Sequence, residues 1–273
     1  MPGGLNSRVF VVRDPVGQPA LTVRQARPGQ TALLDHEAWA LTTLAGQCGC
    51  APWPVQRVDD LLTHAYVMGA TAELRGVSAA CRAALGRCLA GLHGHARDGY
   101  TLWPAPERHA GTRRELYHAR LATLERYGAL RGPLAARVRP LRAALQAAPL
   151  TDAGWDTARF VMLHGDLSAG NLLWHGSAVT LIDWEYTRAG DPAEDLAYLL
   201  AEQPLPARQR AQLTDAYLNT GGDPSTLERL PVYLPLVALD AALWWADYLG
   251  TADAPEVTTR LALAEGALMH ADG

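Results

Sequence analysis

Two short polar loops constrain this chain more than any other part of it. Residues 164–171 read HGDLSAGN and residues 181–195 read LIDWEYTRAGDPAED, each following an apolar run, FVML in one case and VTLI in the other. Short aliphatic runs of this kind are predicted strands, and both end on charged or amide groups that core building does not require. Asp166 and Asn171 are separated by four residues, among them the small Ala169 and Gly170, so a tight loop can turn both side chains toward one point. Asp183 ends the next apolar run, as expected if NLLWHG and VTLI form a hairpin beneath a shared site.

The residue types in these loops suit a particular chemistry. An Asp free to accept a proton, beside an Asn and a second Asp acting as oxygen ligands, fits magnesium bound to a nucleotide phosphate. Magnesium takes a few carboxylate or amide oxygens and completes its shell with phosphate oxygens and water. Phosphoryl transfer asks for little beyond positioning, charge neutralisation and a group to orient the attacking hydroxyl.

Composition narrows the alternatives. Hydrophobic residues make up 49% of the 273 and charged residues 19%, enough apolar surface for a sizeable core and too much for a disordered chain. The formal net charge of −4 argues against a nucleic-acid partner. No apolar run approaches the roughly 20 residues that span a bilayer, and no basic, apolar leader opens the chain. The expectation is a cytoplasmic protein with no membrane partner; the oligomeric state is left open. All 24 basic residues are arginine and none is lysine, which excludes a Walker-type phosphate loop and lysine Schiff-base chemistry. Any cation that holds phosphate is therefore Arg or a metal. Cys81 and Cys88 fall on the apolar stripe of a predicted helix, and Cys48 and Cys50 lack a second pair at zinc-site spacing. Free thiols in a reducing compartment are expected.

Along the chain, RVFVVR (8–13) and ALTVRQ (20–25) predict a hairpin closed by the turn DPVGQ. A helix is predicted over 31–45, with Leu34, Ala38, Leu41 and Ala45 on its apolar stripe and Thr31 as its cap. VQRVD and THAYVM predict two more strands, and residues 68–73 read as a linker. Beyond residue 78 the pattern is mainly helical apart from the strand-like runs around the two loops. Eight arginines between Arg113 and Arg142 are expected on solvated helix faces. Asp191 followed by Pro192 and Glu194 reads as a capping box, and His164 as a residue that steadies its loop.

HGD-x4-N followed by IDW resembles the catalytic loop and metal-binding Asp of the protein-kinase-like fold, in its aminoglycoside phosphotransferase and choline kinase branch. The trailing GDPAEDLA is similar to that branch in particular. The resemblance spans nearly the whole chain and implies an α+β, two-lobed fold. Residues 1–70 would form an N-terminal nucleotide-binding lobe, a small antiparallel sheet with one helix. Residues 71–273 would form a mainly helical C-terminal lobe carrying both loops and the acceptor site.

The resemblance also implies roles. Asp166 would act as the base toward the substrate hydroxyl, and Asn171 and Asp183 would hold Mg2+. Arg24, paired with Glu37, would contact the phosphates of ATP. Gly3 and Gly4 would let backbone N–H groups approach those phosphates, and Tyr66, Val67 and Met68 would form the hinge against adenine. The sequence departs from the family pattern in three places: Arg24 stands where Lys is usual, Trp184 where Phe is common, and only two residues precede the glycine pair.

The phosphate acceptor is read from weaker signals. DWEYTRAGD is similar to choline- and thiamine-kinase-like members, which brings in Glu185 and Tyr186. Asp240, Trp244 and Asp247 recur at i, i+4 and i+7 on one helix stripe. An acidic and aromatic stripe suits a cationic alcohol, through charge attraction and cation–π contact; the plain alternative is a solvent-facing helix side. An aminoglycoside fits nearly as well, and a neutral sugar is the further possibility. The rival outside catalysis is a nucleotide-binding pseudokinase. A protein kinase is third, since no Ala-Pro-Glu segment follows Asp183.

Overall fold

The computed structural model describes residues 7–102, 105–127, 134–151 and 154–269. In chain order the strands are β1 (Ser7–Arg13), β2 (Pro19–Ala26), β3 (Pro54–Val58), β4 (Leu61–Ala65), β5 (Ala70–Thr71), β6 (Ala96–Arg97), β7 (Tyr100–Leu102), β8 (Ala105–His109), β9 (Phe160–Leu163), β10 (Leu172–His175), β11 (Ala178–Leu181) and β12 (Arg188–Gly190). The helices are α1 (Thr31–Leu44), α2 (Ala79–His93), α3 (Arg113–Thr123), α4 (Ala135–Gln146), α5 (Pro192–Glu202), α6 (Ala207–Asn219), α7 (Ser225–Leu249) and α8 (Pro255–Met269).

The described residues form two compact units. The first holds everything through Leu92 together with His164–Thr187 and Leu205–Gly221; the second holds His93–Leu163, Arg188–Pro204 and the residues from Gly222 onward. The 164–187 segment thus groups with the N-terminal sheet, not with the helices on either side of it in sequence.

In the first unit, β1, β2, β4 and β3 form an antiparallel sheet in that order. β1 lies at its margin, and Val9, Phe10, Val11 and Val12 are all exposed there. α1 buries Leu34, Glu37, Ala40, Leu41 and Leu44, so its inner stripe is turned from the expected one and includes a carboxylate. Its N-cap is Gln30, with no side-chain capping bond, so Thr31 is not the cap. Burial of that stripe holds the helix, as is usual for a helix of this length.

The stretch read as a linker contains β5, which pairs with β10 and extends the β10–β11 hairpin to three strands. α2 and α6 approach closely at Gly86, where a Cβ would sit 2.2 Å from the Leu213 carbonyl oxygen. Arg82 reinforces the same unit by donating to Gln212 Oε1 at 2.8 Å and to the Leu74 carbonyl at 2.8 Å. All the cysteines are free thiols; Cys48, Cys50 and Cys81 are buried and Cys88 is half-buried.

The second unit is mainly helical, with the small sheets β12–β9–β6 and β7–β8. Tyr117, Trp155 and Tyr233 meet at ring centroid distances of 5.6 to 5.7 Å in its core. α7 runs 25 residues through this unit with Pro231 and Pro235 inside it. Among the described residues it is the one helix long and apolar enough to cross a membrane by length and composition, where no apolar run approaching 20 residues was expected. Half of its most apolar window is buried against the unit, as in a core helix.

Buried charge organises this unit. Asp191 caps α5 in the expected capping box with Glu194. It also accepts from both Arg229 Nε at 2.7 Å and Arg229 Nη2 at 2.9 Å, and Asp191 and Arg229 are both fully buried. Arg120 reaches Glu194 at 3.1 Å and Asp240 at 2.9 Å. Arg113 and Arg120, expected on solvated faces, are therefore buried ion-pair partners; their acceptors lie far off in sequence, where helix periodicity gives no hint of them.

Two substitutions test these contacts. Gly86→Ala should destabilise the protein by about 1–3 kcal/mol in urea unfolding, because the α2–α6 backbones must separate to admit a methyl group. Asp191→Ala should cost about 3–5 kcal/mol, since it strands the buried Arg229 charge and removes a helix cap.

Candidate active site

The site is built inside the first unit, and the β10–β11 hairpin is its base. Leu172 pairs with Leu181, and the Ile182 N–H donates to the Asn171 carbonyl at 3.0 Å just past the last rung. Asn171 and Asp183 therefore flank the open end of one hairpin. Residues 169–171 and 184–186 each form a single 3-10 turn, so the chain reverses sharply on both sides. Asp183 has φ 67° and ψ 64°, a left-handed conformation that costs a non-glycine residue energy and has to be held in place by its surroundings.

The loop carrying Asp166 is tied to the same point. Asn171 Nδ2 donates to Asp166 Oδ2 at 2.8 Å and to the Asp166 carbonyl at 3.0 Å. With its amide nitrogen committed, the carbonyl oxygen is the Asn171 atom suited to a cation. His164, fully buried, accepts the Asp166 N–H at Nδ1 at 3.2 Å and uses Nε2 to bond the Ile182 carbonyl at 3.1 Å. One imidazole thus joins the Asp166 loop to the residue before Asp183, in keeping with the steadying role expected of it. Trp184 packs against His164 at 4.5 Å between ring centroids and donates from Nε1 to the Leu181 carbonyl at 2.8 Å.

Arg24 stands on β2, paired across the sheet with Val9 on β1 and Leu62 on β4. Its Nη1 donates to Glu37 Oε1 at 2.9 Å and lies 2.7 Å from Asp183 Oδ1. Its Nη2 donates to Ser7 Oγ and to Glu185 Oε2, each at 3.1 Å. Three carboxylates from two chain segments thus share one guanidinium. Burial works against the Arg24 charge, but Glu37, Asp183 and Glu185 outweigh it and hold the proton more firmly than water does. Burial pushes the Glu37 carboxyl from the ordinary 4.5 up to about 8, and Asp183 and Glu185 add to the effect while Arg24 opposes it.

This excess of negative charge is the test of whether the residues fit a divalent cation, and they do. The donor set around the hairpin end is hard oxygen, from Asp166, Asn171 and Asp183, and the buried Glu37 Oε2 has no hydrogen-bond partner. Among the described residues no three His, Cys, Asp or Glu side chains could hold a metal by themselves.

The other expected residues are placed as follows. Tyr66, Val67 and Met68 lie in the irregular segment between β4 and β5, where the Tyr66 N–H donates to the Ala20 carbonyl at 3.0 Å. Met68 is 67% exposed, open to a ligand. Gly3 and Gly4 lie outside the described residues. Glu185 is buried against Arg24, away from any open surface, and Tyr186 is half-buried on the same turn.

In the second unit Asp240 is taken up by Arg120, Arg126 and the Tyr127 hydroxyl, so the expected stripe does not present three free groups. Trp244 stacks on Tyr248 at 5.2 Å with 7° between the rings, and Asp247 is exposed. Ser7, Asp183 and Glu185 are Arg24 partners that the sequence did not reveal; Glu37 was the one expected. The available signal was an arginine, with two donor nitrogens at its tip, where one would have served.

These features converge on a phosphotransferase. A sequence model of the phosphotransferase enzyme family (APH) matches residues 1–230, and the chain belongs to that family. The fold is likewise similar to solved structures of low sequence identity. Macrolide 2'-phosphotransferase MphH from Brachybacterium faecium, solved as the apoenzyme, is 21% identical, with 97% of this chain and 89% of that one covered at a TM-score of 0.64. Choline kinase LicA from Streptococcus pneumoniae is 18% identical, with 98% and 92% covered at a TM-score of 0.66. The streptomycin–ATP–APH(2")-IIa ternary complex is 13% identical, with 97% and 90% covered at a TM-score of 0.65. No curated protein sequence matches the chain.

The raised Glu37 carboxyl gives a pH prediction. Folding takes up a proton there between about 4.5 and 8, so this group's contribution to stability is full at low pH and is lost as pH rises through that window. In urea unfolding series from pH 5 to 8 without divalent cations, Glu37→Gln should flatten the decline seen in the wild type. An unchanged slope would place the titrating group elsewhere.

Proposed function

We propose that this enzyme transfers the γ-phosphoryl group of ATP to a hydroxyl of a small, cationic alcohol. The observation that supports this most is the bonded chain from Asp166 through Asn171 to the hairpin end beside Asp183. It collects a proton acceptor and two oxygen ligands of the type that phosphoryl transfer uses.

In this reading Asp166 orients the acceptor hydroxyl and takes its proton at a carboxylate oxygen as that hydroxyl oxygen attacks the γ-phosphorus and the bond to the bridging oxygen breaks, releasing ADP. Asn171 fixes the Asp166 carboxylate through its amide nitrogen. Asn171 and Asp183 would hold Mg2+, which when bound neutralises charge on the phosphates. Arg24, carried by β2 and braced by Glu37, would contact the α- and β-phosphates. The segment at Tyr66, Val67 and Met68 would receive adenine through its backbone, and Gly3 and Gly4 would approach the phosphates. ATP as donor is in keeping with the ternary complex of the similar APH(2")-IIa. The lobes would divide near residue 70, with the protein acting in the cytoplasm.

The cationic acceptor rests on the second unit's own surface. Tyr248 is 53% exposed and stacked on Trp244 beside exposed Asp247, a combination of ring face and carboxylate that attracts an ammonium group. Choline-like alcohols and aminoglycosides both carry such a group. A neutral sugar is the second reading, favoured by the neutralisation of Asp240 by Arg120 and Arg126.

ATP turnover measured against a panel of choline-like alcohols, thiamine, aminoglycosides and a neutral methylthio-ribose tests this. At least one cationic member should be phosphorylated in a magnesium-dependent way, and Asp166→Ala should reduce kcat by about 10²–10⁴-fold. Equal turnover by wild type and variant would remove Asp166 from the chemistry. Nucleotide binding with no turnover on any acceptor would favour the pseudokinase reading.

A further inference from the structure

The guanidinium of Arg24 has no idle donor at its tip. Nη1 serves Glu37 and Asp183, and Nη2 serves Ser7 and Glu185. Nε has no partner but is buried, so a phosphate can reach the tip of this cation only if one of these partners leaves, and the partners are not equivalent. The Glu37 and Glu185 side chains are 1% and 6% exposed, and each accepts an aligned hydrogen bond. Asp183 is 28% exposed, and its Oδ1 lies 2.7 Å from Nη1 without the alignment of a hydrogen bond. Releasing either glutamate would leave a buried carboxyl group without its partner, whereas the Asp183 side chain is partly open to solvent although its Oδ1 is buried.

Glu185 follows Asp183 by two residues, on the 3-10 turn that opens at the left-handed Asp183. Its bond to Nη2 holds both ends of a short link: the guanidinium fork on one side and the turn that presents Asp183 on the other. Glu37 grips the opposite nitrogen from α1. An arginine needs two such anchors because its planar fork would otherwise swing when one partner departs. A lysine ammonium, a single point, could not span Glu37 and Glu185 in this way.

From this geometry we infer that Glu185 is a positioning residue: with Glu37 it clamps Arg24 so that Asp183 is the exchangeable carboxylate, passing from Arg24 to the divalent cation while Nη1 turns to phosphate. The inference rests on the nucleotide-site reading above and deepens it. It takes Glu185 out of the acceptor pocket and explains why arginine serves at this position.

Isothermal titration calorimetry with MgATP and with metal-free ATP, on the full chain, tests the clamp without relying on turnover. Wild type should bind MgATP; if it does not, the nucleotide-site reading itself fails. Glu185→Gln keeps the shape but not the charge, and should weaken MgATP binding at least tenfold while the KM of the acceptor stays within twofold. Arg24→Lys should show a comparable loss, and adding Glu185→Gln to it should weaken binding no more than twofold further, because the second anchor has lost its nitrogen. If Glu185→Gln proves too unstable to titrate, the comparison of Arg24→Lys with wild type decides: wild-type affinity in Arg24→Lys overturns the inference. So does a Glu185→Gln variant that binds MgATP as wild type does, or two losses that simply multiply.

Discussion

One positive charge shared among three carboxylates governs the first unit. Arg24 draws together β2, α1 and the turn after β11. Such an arrangement is poor as a stabiliser, because desolvating several charges offsets much of their attraction. Its value is geometric. Burial and the neighbouring Asp183 and Glu185 raise the Glu37 carboxyl, so one guanidinium does not balance all three groups.

The second unit uses the same device with the opposite outcome. Asp191 is doubly bonded to Arg229 and also meets Arg113, all three buried from water. Arg120, between Glu194 and Asp240, and Arg188, also on Glu194, extend the network. Here the charges are satisfied within the fold, and their effect is to fix how α5 sits against α7. Buried ion pairs therefore differ between the two units: carboxylates crowd one arginine in the first, and each buried carboxylate meets at least one arginine in the second.

Much of the fold was legible in the sequence because its signals are local. The 8–13 and 20–25 hairpin, the β10–β11 hairpin beneath the site and the Asp191 capping box all depend on residues close in the chain. The placing of Asn171 and Asp183 at the open end of that hairpin was legible for the same reason. What escaped was non-local. β5 spans only Ala70–Thr71, too short for a periodic signal, and exists because β10 offers it an edge. Glu37 lies on the inner face of α1, where a hydrophobic pattern has no place for a carboxylate until Arg24 is known to face it. Arg113 and Arg120 read as surface charge for the same reason, and Glu185 read as a group for the acceptor although it faces inward to Nη2.

The marginal strand β1 carries a different consequence. Four consecutive apolar side chains, Val9 to Val12, stand exposed on both of its faces, bracketed by the exposed Arg8 and Arg13. A ribbon of this kind is a template on which another copy's backbone can stack, and like-charge repulsion between the two arginines is the chief local brake. Concentrated or salty solutions, which blunt that repulsion, are where this enzyme will tend to precipitate.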